Sequence, residues 1–150
     1  MASLAQEFSS VYVEAGVIHY LLWRNLRQEL GASVRLKLLF LADDADGLAS
    51  PRKYRYAPGD KLTLLYIFHP SYSETRRENI LAARSLIYSK LIAKNELTED
   101  LTSWPHLRDE LKCIHMTNRL SLDDCRNLYL RVRHSDTLQA HAVVQAYLSR

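Results

Sequence analysis

The apolar residues of this chain change their period at Gly31, and that change limits the folds open to it. Before it, Leu4, Phe8, Val11, Ala15, Ile18, Leu22 and Leu26 recur every three or four residues, the spacing of one helix face. Tyr12, His19 and Trp23 add a second stripe that widens the apolar surface. Ser3 with Gln6 matches a capping box, and Gly31 stands where a helix ends in a left-handed residue. The spacing predicts a helix over about residues 3–30, with Ser9-Ser10 as its weak point.

After Gly31 the period becomes two. Val34, Leu36, Leu38 and Phe40 alternate with Arg35 and Lys37, which predicts a strand over 34–41. Lys53, Tyr54, Arg55 and Tyr56 alternate toward Pro58-Gly59, a pair suited to a tight turn. Leu62, Leu64, Tyr66 and Phe68 alternate on the far side of it. The intervening Leu65 and Ile67 are also apolar, as in a strand covered on both faces. Residues 52–57 and 61–68 therefore read as a β-hairpin beside the first strand.

The remainder reads as helical. Ser71 with Glu74 opens a helix over 72–95. Pro105 suits the first turn of a short helix, 105–112, and Lys112 to Met116 reads as a short fourth strand. Ser121 with Asp124 opens a helix over 121–134, and Ser135 or Asp136 caps a last one over 136–148. Consecutive strands joined by short turns predict an antiparallel sheet within a single α+β domain, 1–150.

Composition narrows the function. Four glycines leave no GxGxxG, GxxxxGK[ST] or GxSxG sequence, so nucleotide-loop enzymes and nucleophile-elbow hydrolases are not expected. Two cysteines make no disulfide framework, and MASLAQEFSS has no basic, apolar leader pattern. A cytoplasmic protein without a membrane span is expected. The formal net charge of +3 is too small to identify a nucleic-acid binder, since such binders carry clustered excess Lys and Arg.

Local clusters carry the remaining chemistry. Arg52, Lys53, Arg55, Tyr56, Lys61 and His69 place cations and aromatic rings together, as phosphate contact and base stacking require. The hairpin followed by LLYIFH resembles the RNA-facing strands of small bacterial toxin ribonucleases of the RelE type. That resemblance is confined to this segment, and the helical C-terminal half has no counterpart in those toxins. It implies RNA binding or cleavage, with His69 as a proton carrier.

Cys113, His115, Cys125 and His134 offer zinc-type ligands but lack the short CxxC knuckle. Asp43, Asp44 and Asp46 fail the calcium-loop pattern, because Ala42 and Lys53 fall where its first and last carboxylates belong. Arg126 and His134 are spaced more widely than the arginine–histidine motif of helical ribonucleases. Magnesium, which needs few protein ligands, stays open for Asp43, Asp44 and Asp46; no other metal or cofactor is expected from these patterns.

The leading expectation is a non-enzymatic interaction or regulatory module. It would self-associate, or dock another protein, through Tyr12, Gly16, His19 and Trp23 on the long helix. The alternative is an RNA-binding protein or small ribonuclease using the basic hairpin.

Overall fold

The apolar run at 61–68 forms a helix, and the reason stands at its start. In the computed structural model, Pro58 is the first residue of a helix, where its fixed φ and missing N–H cost nothing. Asp60 sits in the first turn, complementing the helix dipole. A run apolar at both alternating positions fits a helix as well as a doubly covered strand, so period alone could not separate them.

The structure describes residues 10–16, 19–39, 56–69, 71, 75–94 and 105–149. Among them are six α-helices and no strand: α1 Tyr20–Leu30, α2 Pro58–Phe68, α3 Thr75–Leu91, α4 Pro105–Asn118, α5 Leu122–Val132 and α6 Thr137–Leu148. The α+β expectation is therefore wrong; the described protein is all-helical. Its chain divides into two units, Met1–Leu41 and Ala42–Arg150.

In the first unit the helix is much shorter than 3–30. Residues 10–16 are not helical, and α1 begins only at Tyr20. The β-branched Val11 and Val13 and the permissive Gly16 disfavour helix across this stretch. Gly31 closes α1 at positive φ (56°), as expected of a terminal glycine, though its ψ of −148° is not that of a left-handed cap. A short 3₁₀ turn, Gly31–Ser33, follows. Val34 beyond it is extended, and Val34 and Leu36 are half-buried while Arg35 and Lys37 are exposed. The alternation is thus present without a sheet, because no neighbouring strand pairs with it among the described residues.

In the second unit α3 is the hub: it packs against α2, α4, α5 and α6. Ile87 and Leu91 of α3 meet Cys113 and Met116 of α4, Leu128 and Val132 of α5, and Ala140 and Val144 of α6. Helix α4 runs through Lys112–Met116, so the expected fourth strand is helix. Thr117 is fully buried there, and its hydroxyl donates to Cys113 O at 2.9 Å. The hairpin arm 52–57 lies outside the described residues except for Tyr56, in a bend, and the buried Ala57. The expected capping box of Ser71 and the Asp43, Asp44 and Asp46 loop lie largely or wholly outside them too.

The caps of α5 and α6 follow the sequence closely. Asp124 N–H donates to Ser121 Oγ at 3.1 Å, and Ser121 N–H donates to Asp124 Oδ2 at 2.7 Å. Gln139 N–H donates to Asp136 Oδ1 at 2.8 Å, so Asp136 rather than Ser135 is the cap. Tyr147 donates to the other carboxylate oxygen of Asp124. That bond, followed by those from Ser121, holds the Asp124 carboxyl below the usual carboxylate range.

Gly59 is not in a turn; it lets α2 approach α3. A Cβ at Gly59 would lie 2.7 Å from Ser85 Oγ but 3.9 Å from Ser85 Cβ. Only the rotatable hydroxyl has to move, so Gly59→Ala is expected to change stability by no more than about 1 kcal/mol, its strain set against alanine's helix propensity. Adding Ser85→Ala should remove the clash and let alanine's helix propensity, worth ~1 kcal/mol, show through. Denaturant unfolding of the two variants checks this; an equal change in both would refute the close approach.

Candidate functional site

Arginines in the first turn of a helix oppose its dipole, which favours anions there. Arg76 and Arg77 nevertheless occupy the first turn of α3, and both are exposed. With Ile80 they form one wall of a cleft of about 690 Å³; Ser121, Leu122, Asp123 and Arg126 form the other. Arg126 pairs with Asp123 at 3.2 Å, leaving a cationic excess among the lining side chains.

Helices α3 and α5 run side by side in the same sense. Their N-terminal ends share the cleft, and near their C-terminal ends Lys90 Nζ donates to Ser135 O at 3.3 Å. The positive ends of two dipoles therefore add to the arginines. Behind them, burial lowers the pKa of Lys61, and the charges of Arg84 and Arg77 lower it further. Arg84 Nε donates to Leu120 O at 2.8 Å, which anchors the loop leading into α5.

From the cleft outward, Arg126, Tyr129 and Leu130 of α5 and Arg133, which caps it, follow at steps of three and four, all exposed. Spacing of this kind places residues on one helix face. The surface thus offers cations beside an aromatic ring, the combination expected of the hairpin.

The residues singled out from sequence are dispersed. Arg52, Lys53 and Arg55 lie outside the described residues. Tyr56 precedes α2 and His69 follows it, so the length of the helix, about 16 Å, separates them. Lys61, between them, is the member that adjoins the basic cleft. The strands on which the RelE-type resemblance rested are not formed at 61–68, so its implied proton carrier at His69 loses its basis. Arg76, Arg77 and Tyr129 were missed; the adjacent arginines shortly after the expected cap at Ser71 were the available signal.

In the first unit, Tyr12 is 79% exposed and non-helical. The Gly16 carbonyl accepts hydrogen bonds from His19 N–H at 2.9 Å and from its Nδ1 at 3.2 Å. Trp23 is half-buried on α1, with the Arg27 guanidinium 5.4 Å from its ring centre. These four residues do not form one helical stripe, because the helix starts after Tyr12 and Gly16.

A second polar cluster lies at the other end of α3. Cys113 Sγ is 3.8 Å from His141 Nε2 and 4.0 Å from Asp109 Oδ2. Because a carbonyl only accepts, His141 Nε2–H is the donor to Leu91 O, at 2.8 Å. Ala93 N–H donates to Asp109 Oδ2 at 3.1 Å. Burial, and then the neighbouring Asp109, push the Cys113 thiol up to about 12. A nucleophilic cysteine needs the opposite shift and a histidine free to take its proton. Neither condition is met here. Of the four zinc-type residues noted in the sequence, Cys113 alone belongs to this cluster; His115 and His134 are exposed, and Cys125 is buried with its thiol pushed up to about 11.

Among the described residues, no helix is long and apolar enough to cross a membrane. No family model matches the chain, and no solved structure matches it. An Archaeoglobus fulgidus protein, described as an uncharacterized protein, is 30% identical over 131 residues, covering 87% of this chain and 44% of its own length. The chain thus spans less than half of that relative. The matched stretch is longer than the Ala42–Arg150 unit and so includes residues of both units.

Proposed function

We propose that the helical unit 42–150 is a non-enzymatic RNA-binding module whose contact surface is the α3–α5 cleft and the exposed face of α5. The carrying observation is the placement of Arg76 and Arg77 against the α3 dipole, on a cleft shared with Arg126. Such a placement costs folding free energy, and a phosphate seated between the arginines would offset it. Tyr129, one turn beyond Arg126, supplies a ring on which an unpaired base stacks, which favours a single strand over a duplex.

The test is binding of a labelled single-stranded RNA, followed by fluorescence anisotropy over a salt series. Three arginine–phosphate contacts imply a log–log salt slope of about −2. Absence of binding at low ionic strength, or binding indifferent to salt, would defeat this reading.

Self-association through the first unit is a second reading, favoured by the exposed apolar side chains of Val11, Tyr12, Val13, Leu38 and Leu39. These side chains stand in two short runs, 11–13 and 38–39, that a second copy would cover. Sedimentation equilibrium should then detect a dimer at micromolar concentration that Tyr12→Ser weakens. A monomer at every concentration would exclude it.

A further inference from the structure

The last carbonyls of a helix lack intrahelical donors and form the negative end of its dipole, a setting that favours a cation. At the end of α3, three helices bring ligand-bearing atoms to one point. Asp109 and Cys113 are one turn apart on α4, and His141 comes from α6. Asp109 Oδ2, Cys113 Sγ and the His141 ring nitrogen all lie within 4.8 Å of one another. Leu91 O, from the last residue of α3, is 2.8 Å from that nitrogen.

We propose that Asp109, Cys113 and His141 form a zinc site, with Leu91 O within reach of the fourth position. Hydrogen bonding alone serves the sulfur poorly: its distances of 3.8 and 4.0 Å to its two polar neighbours are long for a buried thiol. Those distances suit a shared cation better. Tetrahedral zinc, with bonds of ~2.3 Å to sulfur and ~2.0–2.1 Å to nitrogen or oxygen, sets its ligand atoms roughly 3.3–3.6 Å apart. The two sulfur distances need a contraction of a few tenths of an ångström to reach that spacing, and Asp109 and the His141 nitrogen, within 4.8 Å of each other, complete the set.

The donor set selects the metal. Thiolate with imidazole suits zinc, whereas magnesium and calcium take oxygen ligands. Asp109 is already oriented by the Ala93 N–H, the kind of outer contact that fixes a ligating carboxylate. Of the charges that act on the Cys113 thiol, Asp109 and Glu110 outnumber Lys112, a net negative setting that suits a divalent cation.

Binding releases one proton. The Cys113 thiol loses its proton to solvent as the sulfur–zinc bond forms. The His141 proton moves from Nε2 to Nδ1, which breaks the bond to Leu91 O and exposes the Nε2 lone pair to the metal. The site lies at the opposite end of α3 from the arginine cleft, so its failure would leave the RNA reading standing.

The experiment uses the full chain, freed of metal by a chelator and titrated with Co²⁺ and then Zn²⁺. One equivalent of Co²⁺ should produce a thiolate-to-cobalt charge-transfer absorption that Zn²⁺ abolishes. Cys113→Ser and His141→Ala should lose it, and Cys125→Ser should keep it, each with an unchanged far-ultraviolet circular dichroism spectrum. Asp109→Asn, which preserves shape, should weaken Zn²⁺ binding at least about tenfold, as loss of a ligand implies. No charge-transfer band in the unaltered protein, or one that depends on Cys125 rather than Cys113, would overturn the proposal.

Discussion

Charge reversal of Arg76 and Arg77 to Glu is expected to weaken single-stranded RNA binding about 100-fold at low salt. A charge-assisted hydrogen bond contributes about 1.5–3 kcal/mol, so two phosphate contacts at the lower end of that range, partly screened at the surface, account for roughly that factor. The salt slope should shrink toward that of Arg126 alone, since each phosphate contact on a single strand accounts for about 0.7 of it. Stability should move the other way. Glutamates in the first turn of α3 would complement the dipole that the arginines oppose, adding a few tenths of a kcal/mol each. A fall in affinity with an undiminished melting temperature separates a missing phosphate contact from a damaged fold. If the variant binds RNA as the unaltered protein does, the cleft is not the contact surface. Anisotropy titrations paired with thermal unfolding supply both readings.

The second large effect concerns the fold. Leu65→Ala is expected to cost about 2–3 kcal/mol, from the transfer free energy and the cavity left by a buried leucine. Ile67→Ala, two residues on, should cost no more than about 1 kcal/mol, because Ile67 is 44% exposed. In a strand these positions would share one face; in α2 they lie on different sides. Comparable losses from both substitutions, measured by urea unfolding, would argue for the hairpin and against the helix.

How far the sequence was legible differs along the chain. Helices α3, α5 and α6 carry their own signals in three- and four-residue apolar steps and in the caps at Ser121 and Asp136, and Pro105 opens α4. Each of these is a local interaction, and local interactions can be read from neighbouring residues. What misled was the segment from Gly31 to Phe68. Val34 and Leu36 do alternate with exposed cations, but alternation specifies a strand only when another strand supplies hydrogen-bond partners. At 61–68 the apolar run satisfied both periods, and the deciding feature was Pro58 at a helix start rather than in a turn.

The candidate sites were less legible because each joins residues distant in sequence. Arg77 and Arg126 meet because α3 and α5 run alongside each other. Asp109 and Cys113, one turn apart on α4, were within reach of a sequence reading, once 112–116 was recognised as helix. His141 was not, since its place depends on how α6 packs. The basic and aromatic residues of the expected hairpin pointed toward phosphate and base contact; of its cations, Arg52, Lys53 and Arg55 lie outside the described residues, and the half-buried Lys61 feels the charge of Arg77 on the cleft wall.

The most direct measurement is an amide chemical-shift map of the full chain during titration with a single-stranded RNA oligonucleotide. The expected perturbations cluster at residues 76–80 and along 121–133, and fade as salt is raised. Perturbations confined to α1 and residues 10–16, or none at all at low salt, would contradict RNA recognition by the α3–α5 surface.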